Sequence, residues 1–389
     1  GEAAAPKGAR GASGRRLISG DSRLTGSALA STGSVPPTGS VPPLRSLDEV
    51  ARLLIAPDAG EGLSPIGGGD GVLIVDLASS TVEQAQRHRL TLEAALPVLP
   101  CVTVAVAPAE QAAEFALIEQ VCDVVLPDAS VLPEFLAGFA HTKIAGLAFA
   151  QLLRGAPRRT IHEGLLAESF VYSTLQSGAE FSNWRDSRRR RKGSGRTEDG
   201  AAVRLDRDRG VLEIYLTRPA KHNAFSRMMR DGLCEALQLA IVDPSIESVI
   251  LRGEGDSFCS GGDLDEFGSF PDPAEAHVIR TTRSPALLLS QLSERIRVEV
   301  QGACMGAGAE LPAFTRQVVA EEDAFFQLPE VGLGLVPGAG GTVSLPLRIG
   351  RQRTAWLGLS GARIDARTAL DWGLVDEVRL GHRVAPDAD

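Results

Sequence analysis

Two glycine-rich turns that each follow a strand-like segment limit the fold of this chain more than any other feature. Val298 and Val300 alternate with polar residues, which indicates a strand, and glycines at 302–308 then break the pattern. From about Gly308 the pattern becomes helical, with Glu310 in the first turn of the predicted helix. The backbone N–H groups at the start of such a helix stabilise negative charge.

A second acidic residue, Glu330, directly follows Pro329. Two glutamates beside an anion-stabilising turn could act as an acid and a base in proton transfer. The other glycine-rich turn, residues 260–263, also follows a predicted strand, and N–H groups of both turns would form an oxyanion hole if they converged on one oxygen. The alternative is that the glycines only permit tight turns and the glutamates form a helix-end charge and a loop salt bridge.

Composition excludes several classes of function. The chain has 389 residues, of which 43% are hydrophobic, so we expect a largely globular protein with up to two domains. The net charge of −9 gives no reason to expect a nucleic-acid partner. The five cysteines form no CxxC pair, so we predict no metal site and no disulfide framework, and a cytoplasmic location. No apolar run approaches the ~18 residues of a membrane span, so no membrane partner is expected.

The sequence divides into four predicted parts. Residues 1–46 are rich in Gly, Ala, Ser and Pro and repeat GSVPP, which predicts a flexible tail; a ligand for a proline-binding module is the alternative. Residues 47–186 predict an α/β unit followed by helices. Residues 187–200 predict a solvated basic linker, with contact to an acidic surface or a ligand phosphate as the alternatives. Residues 201–389 form the last predicted domain.

Apolar periodicity predicts the secondary structure of the second and fourth parts. Strands are predicted at 72–77, 102–106, 124–126, 211–216 and 248–252. Helices are predicted at 81–96, 109–121, 227–242, 274–295 with an interruption near Pro285, 344–359 and 365–372, and a longer helical pattern covers 135–184.

Five motifs between residues 203 and 380 resemble the enoyl-CoA hydratase/isomerase, or crotonase, superfamily. They are RPAKHNAF at 218–225, FCSGGDL at 258–264, VQGACMGAGAEL at 300–311, FQLPEVGLGLVPGAGGT at 326–342 and LSGARIDARTALDWGLVDEV at 359–378. The resemblance implies an α/β protein with a crotonase-like core, a spiral of ββα turns, preceded here by an α/β and helical region. It also implies an acyl-CoA substrate, no cofactor beyond the coenzyme A of that substrate, and a homotrimer or hexamer.

The resemblance assigns roles by motif position. The thioester oxygen would accept hydrogen bonds from the backbone N–H groups of Gly262 and Ala307. Glu310 and Glu330 fall where hydratases carry two catalytic glutamates, one of which takes a proton from water while the other protonates the α-carbon. The loops that wrap coenzyme A in this family correspond to His222, Asn223, Ala224, Phe225, Ser260, Asp263 and Leu264.

The implied activity is that of an acyl-CoA lyase that hydrates a 2-enoyl-CoA. The alternatives are a cofactor-free oxygenase or isomerase acting on an aryl- or enoyl-CoA, and a non-catalytic assembly subunit. The N-terminal extension is similar to that of the dihydroxyphenylacetyl-CoA dioxygenases, a group that lacks the glutamate found here as Glu310.

The chain also departs from the family pattern. Thr315 and Arg316 replace a frequent Cys-Asp pair, and Pro312 lies early in the predicted catalytic helix. In the family, helices follow the last motif. We find no similar segment after residue 378 of this sequence, whereas the segment 147–181 is similar to those helices. We therefore predict that the helices of about 140–186 pack on a crotonase core, and that the α/β segment before them is a degenerate, inactive half of a second crotonase unit.

Overall fold

The computed structural model describes residues 41–108, 113–189, 200–268 and 272–380. The predicted tail therefore lies outside the described residues up to residue 40, and the predicted linker lies outside them from 190 to 199. The end of the predicted tail is not a tail, because Leu44 and Arg45 pair with Ile74 and Val75 as an edge strand. No helix in these four ranges is long and apolar enough to cross a bilayer.

Strands and helices alternate along much of the described chain. The strands are β1 (Leu44–Arg45), β2 (Val72–Asp76), β3 (Val102–Val106), β4 (Val124–Leu126), β5 (Val203–Asp208), β6 (Val211–Leu216), β7 (Ser248–Gly253), β8 (Ile296–Val300), β9 (Ala303–Met305), β10 (Gln317–Glu321), β11 (Phe325–Gln327), β12 (Arg363–Asp365) and β13 (Glu377–Arg379). The helices are α1 (Leu47–Ile55), α2 (Ala59–Leu63), α3 (Val82–Ala95), α4 (Ala116–Val121), α5 (Leu132–Ala137), α6 (Lys143–Arg154), α7 (Ile161–Gln176), α8 (Ala179–Arg189), α9 (Arg227–Val242), α10 (Pro273–Thr282), α11 (Pro285–Leu292), α12 (Ala307–Glu310), α13 (Gly341–Ile349), α14 (Arg351–Ser360) and α15 (Ala366–Trp372).

The strands form three sheets, which confirms the mixed α/β class. The first sheet is parallel and has the order β1-β2-β3-β4. The second has the order β13-β10-β8-β7-β6-β5 and is parallel except where β5 meets β6. The third has the order β12-β11-β9. Strands β2 and β3 are buried on both faces, as expected for parallel strands that read as continuous apolar runs.

Some predicted elements have the expected bounds, whereas the helix predicted at 344–359 is divided at Gly350 into α13 and α14. Strands β3, β4 and β6 and helix α9 begin and end at the predicted residues. The helix predicted at 109–121 begins later, since only Ala116–Val121 is helical after a 3₁₀ turn and residues 109–112 are not described. Strand β5 has no sequence signal, because its mostly polar, exposed residues lie at the edge of the sheet.

The helix predicted to begin near Gly308 is very short. Helix α12 spans only Ala307–Glu310, and a 3₁₀ turn at Pro312–Phe314 follows it. Pro312 has no N–H to continue the helical ladder. The chain then enters strands β10 and β11, which places Glu310 at the end of a single helical turn.

Helices α6 to α8 lie against the C-terminal part of their own chain. One continuous apolar core includes Phe149 of α6, Phe181 of α8 and Leu357 of α14, and so crosses the predicted boundary at 187–200. The contact is close, since a Cβ atom at Gly358 would lie 2.4 Å from the Phe149 ring. The buried carboxylate of Asp123, which directly precedes β4, adds ion pairs with Arg154 (2.6 Å) and Arg351 (3.3 Å).

Candidate active site

A cavity of about 180 Å³ brings together six of the predicted site residues, which line its wall: Phe225, Gly262, Asp263, Ala307, Glu310 and Glu330. The residues of the predicted set that do not line it are His222, Asn223, Ala224, Ser260 and Leu264. Helix α7 also contributes to the wall, through Tyr172 and Gln176. The cavity therefore lies between the two glycine-rich turns and a helix from the N-terminal part of the chain.

The two glycine-rich turns lie side by side. The Met305 N–H donates to the Cys259 carbonyl at 2.9 Å, which joins the end of β9 to the segment before Gly262. On either side of Gly262, the Phe225 N–H donates to the Gly261 carbonyl and the Asp263 N–H donates to the Phe225 carbonyl. This pairing does not use the Gly262 N–H.

Ala307 is the first residue of α12, where an N–H group has no acceptor within the helix. The N–H groups of Gly262 and Ala307 thus belong to adjacent turns whose residues line the same cavity, and no described backbone carbonyl accepts a hydrogen bond from either. Such a pair is available to a ligand oxygen.

Glu310 lies at the base of the cavity with only 2% of its surface exposed. Its Oε2 accepts hydrogen bonds from the backbone N–H groups of Ala339 (2.7 Å), just before helix α13, and Gly341 (2.8 Å), the first residue of that helix. Burial, together with the charges of Glu330 and Glu168, raises the pKa of Glu310 well above its ordinary range. The two N–H donors act in the opposite direction and favour the ionised form.

Glu330 is also buried, with 8% of its surface exposed. Its Oε1 lies against Gly306, where an added Cβ would be only 2.3 Å away, and Gly306 has a φ of +48° that favours glycine. Its Oε2 is buried and has no hydrogen-bond partner among the described residues. Burial raises the pKa of Glu330 to about 8, so this carboxyl group is mainly protonated at neutral pH.

A third buried glutamate, Glu168 of α7, is a functional candidate that the sequence analysis missed. Its Oε1 accepts a hydrogen bond from the Gly340 N–H (2.7 Å), and its Oε2 accepts hydrogen bonds from the Thr342 N–H (2.9 Å) and hydroxyl (2.7 Å). Burial raises its pKa to about 7. Glu168 lines a second cavity next to the first. The only signal in the sequence is an acidic residue inside the apolar run LLAESFV.

Asn223 is fully buried, and its side chain fixes the loop instead of facing the cavity. Its Oδ1 accepts a hydrogen bond from the Arg218 N–H, and its Nδ2 donates to the carbonyls of Glu254 and Ser257. Both His222 and Asn223 have a φ of 51°, and the exposed His222 contacts the Ser257 hydroxyl through Nδ1 at 3.2 Å. These two residues shape the loop that leads to Phe225.

The remaining predicted loop residues contact the same framework. Arg218 donates to the Asp263 carboxylate at 2.8 Å and to the Ala224 carbonyl at 2.6 Å. The Ser260 N–H donates to the His222 carbonyl at 2.9 Å, and Leu264 is half-buried. The structure therefore brings together the two N–H groups, the two glutamates, Phe225 and Asp263, while the other predicted residues support the loops behind them.

No group of three or more His, Cys, Asp or Glu side chains within the described ranges is arranged to hold a metal ion. The chemistry available at the cavity comes from carboxyl groups and backbone N–H groups. A buried carboxyl pair beside two free N–H donors can move protons next to an oxygen that gains negative charge.

The C-terminal half of the chain is similar to known proteins. The family model described as enoyl-CoA hydratase/isomerase matches residues 206–385. The chain is 36% identical over 176 residues to the 2,3-dehydroadipyl-CoA hydratase of Escherichia coli, a match that covers 45% of this chain and 68% of that protein. It is 34% identical over 176 residues to the 1,2-epoxyphenylacetyl-CoA isomerase of Escherichia coli, covering 44% of this chain and 67% of that protein. Among solved structures, the enoyl-CoA hydratase of Thermoplasma volcanium aligns with a TM-score of 0.42 and 32% identity, over 46% of this chain and 72% of that one.

Proposed function

This chain belongs to the enoyl-CoA hydratase/isomerase family, and from that premise we propose that it adds water across the double bond of a 2-enoyl-CoA thioester, or forms that double bond by removing water from a 3-hydroxyacyl-CoA. The observation that carries the proposal is the pair of buried glutamates, Glu310 and Glu330, on the wall that also holds the N–H groups of Gly262 and Ala307. A hydration needs two proton transfers and the stabilisation of one oxyanion, and this wall contains a group for each.

In the proposed reaction, the thioester oxygen accepts hydrogen bonds from the N–H groups of Gly262 and Ala307. Addition of water at the β-carbon moves an electron pair to that oxygen and generates an enolate. Two fixed donors stabilise the enolate more than the neutral thioester, and one such donor typically contributes about 3–4 kcal/mol. Because both donors are backbone groups, an alanine at position 307 serves as well as a glycine.

The two carboxyl groups take different parts in this proposal. Glu310 is assigned the base, because the two backbone N–H groups that bind its Oε2 favour the ionised form against the burial that raises its pKa. In its ionised form it removes a proton from the attacking water. Glu330 holds a proton, because its Oε2 has no partner in the described structure and burial raises its pKa to about 8, and it delivers that proton to the α-carbon. Dehydration runs through the same steps in reverse. The reactants are water and the thioester, with coenzyme A as part of the substrate, and the proton transfers use protein groups.

The test is a panel of enoyl-CoA and 3-hydroxyacyl-CoA thioesters of increasing chain length, with products identified by mass spectrometry. Gain or loss of one water is expected. Replacing Glu310 or Glu330 by Gln should lower kcat by about 10²-fold or more, the usual range for a lost general acid or base. Glu322→Gln, at an exposed position, is the matched control.

Three results would contradict the proposal. They are a shift of the double bond without a change of mass, consumption of oxygen during turnover, and wild-type turnover by either glutamine variant on every substrate accepted. Assembly into a homotrimer or hexamer stays a prediction that the molecular mass of the protein in solution will test.

A further inference from the structure

Arg280 lines both the catalytic cavity and the cavity next to it. It lies near the end of α10 and is partly buried against α7. Its guanidinium lies over the Tyr172 ring, with 4.6 Å between the central carbon and the ring centroid. This position differs from that of a solvated surface arginine.

All hydrogen-bond partners of Arg280 in the described structure are neutral. Its Nε donates to the Ser169 hydroxyl (3.1 Å), and its Nη2 donates to the Ser169 carbonyl (3.3 Å) and the Ser173 hydroxyl. Its Nη1 has only a long contact of 3.4 Å with Oε1 of Gln176. A guanidinium has five N–H donors, so the Nη1 edge keeps at least one donor for a ligand.

The other arginines of the two cavities have acidic partners. Arg230 pairs with Asp231 at 2.9 Å, Arg283 lies 3.6 Å from Asp231, and Arg227 lies 3.8 Å from Glu266. Arg280 has no ion pair within the described ranges. The nearest buried carboxylate that affects its charge, Glu168, already accepts the N–H groups of Gly340 and Thr342.

A partly buried cation without a counter-ion is costly, and burial correspondingly lowers the pKa of Arg280. An anionic ligand group would remove that cost. Arginine suits a carboxylate best, because its planar donors match the two carboxylate oxygens.

The second cavity indicates which anion this is. Besides Arg280, it is lined by the apolar side chains of Leu165, Leu166, Pro285 and Leu287, and it shares Phe225 with the catalytic cavity. An acyl chain that starts at the two glutamates can therefore continue along apolar side chains and still end beside a cation.

We propose that Arg280 binds a carboxylate at the far end of the acyl chain, so that the preferred substrates are CoA thioesters of dicarboxylic acids. The inference rests on the proposed function, because it places the thioester at the two glutamates. The rival source of an anion is a phosphate group of coenzyme A itself.

The experiment measures binding, not turnover. Saturated ligands are compared by calorimetry in pairs of equal main-chain length, with and without a terminal carboxylate: succinyl-CoA with butyryl-CoA, glutaryl-CoA with valeryl-CoA, and adipyl-CoA with hexanoyl-CoA. For at least one pair, the wild-type protein should bind the carboxylate form about 10- to 100-fold more tightly, the range expected for a charge-assisted hydrogen bond. In Arg280→Gln this ratio should fall to about one, and Arg280→Lys should give an intermediate ratio. Arg316→Gln, which changes an exposed arginine, should keep the wild-type ratio.

Two outcomes overturn the inference and leave the proposed function standing. One is a wild-type protein that binds both members of every pair equally well or prefers the methyl-terminated form, a result that does not depend on any variant folding. The other is an Arg280→Gln variant whose affinity for both members of a pair falls by the same factor, as expected if Arg280 binds a coenzyme A phosphate. A wild-type protein that binds none of the six thioesters contradicts the proposed function and the inference together.

Discussion

The carboxylates of Glu168 and Glu310 bind alternate N–H groups of the same turn. Glu310 accepts the N–H groups of Ala339 and Gly341, whereas Glu168 accepts those of Gly340 and Thr342. One glutamate belongs to α12 and the other to α7, so a helix of the N-terminal part fixes the turn that holds a proposed catalytic group. Glu168 is therefore a positioning residue, which acts through residues 339–342.

Glu168→Gln tests this positioning role. An amide cannot accept hydrogen bonds at both of its side-chain atoms, so the turn should shift and kcat should fall by about tenfold, the effect of roughly one lost hydrogen bond. Because the charge of Glu168 raises the pKa of Glu310, its removal should also move the acid limb of the pH–rate profile to lower pH. Kinetics from pH 5 to 9 measure both effects, and an unmoved acid limb would show that Glu168 is only structural.

The Ala307 N–H can be removed without removing a side-chain function. Pro is tolerated at the first position of a helix, so Ala307→Pro should fold and yet lose the donor, which lowers kcat by about 10²-fold or more. Ala307→Gly keeps the N–H and should stay near wild-type activity. Steady-state kinetics with circular dichroism provide the comparison. A folded proline variant with full activity would exclude this N–H as a donor.

The raised pKa of Glu330 predicts a loss of stability with rising pH. The folded protein keeps a proton on this group up to about pH 8, whereas the unfolded chain releases it near the ordinary value of 4.5. The folded state therefore binds more protons between these values, and the free energy of unfolding falls as pH rises through that window. Glu330→Gln should reduce this slope, so that the variant gains stability over the wild type towards pH 8. Urea unfolding at several pH values measures the slope, and equal slopes would contradict the assignment.

Asp123 joins the N-terminal sheet to helix α14. Its buried carboxylate pairs with Arg154 and Arg351 and accepts hydrogen bonds from the N–H and hydroxyl of Thr103. Asp123→Ala leaves two partly buried cations without this partner, so we expect a loss of about 3–5 kcal/mol in the free energy of unfolding. Asp371→Ala, at an exposed position, should change it by less than about 0.5 kcal/mol. Similar denaturation midpoints for the two variants would show that Asp123 does not hold these parts together.

The sequence predicted the site best where the signal is local. Glycine turns and strand alternation drew attention to Glu310 and Glu330, the family resemblance assigned Gly262 and Ala307, and all four residues line one cavity in the structure. The start of a helix near Gly308 was also predicted, but its end was not, and the structure shows a single turn, Ala307–Glu310. The family resemblance assigned Asn223 to ligand contact, whereas the fully buried amide binds backbone groups.

The sequence by itself determined the family and the mixed α/β class and selected the two glutamates proposed as catalytic, because these depend on residue order within short segments. Only the tertiary structure placed Glu168 beside the turn at 339–342 and Arg280 between the two cavities. No local sequence pattern predicts either position, because each depends on contacts between segments far apart in the chain. Examples are the hydrogen bonds from Gly340 to Glu168 and from Arg280 to Ser169. Which distant segments meet depends on how the apolar faces of α6 to α8 are buried against the C-terminal part, and that is a property of the whole core.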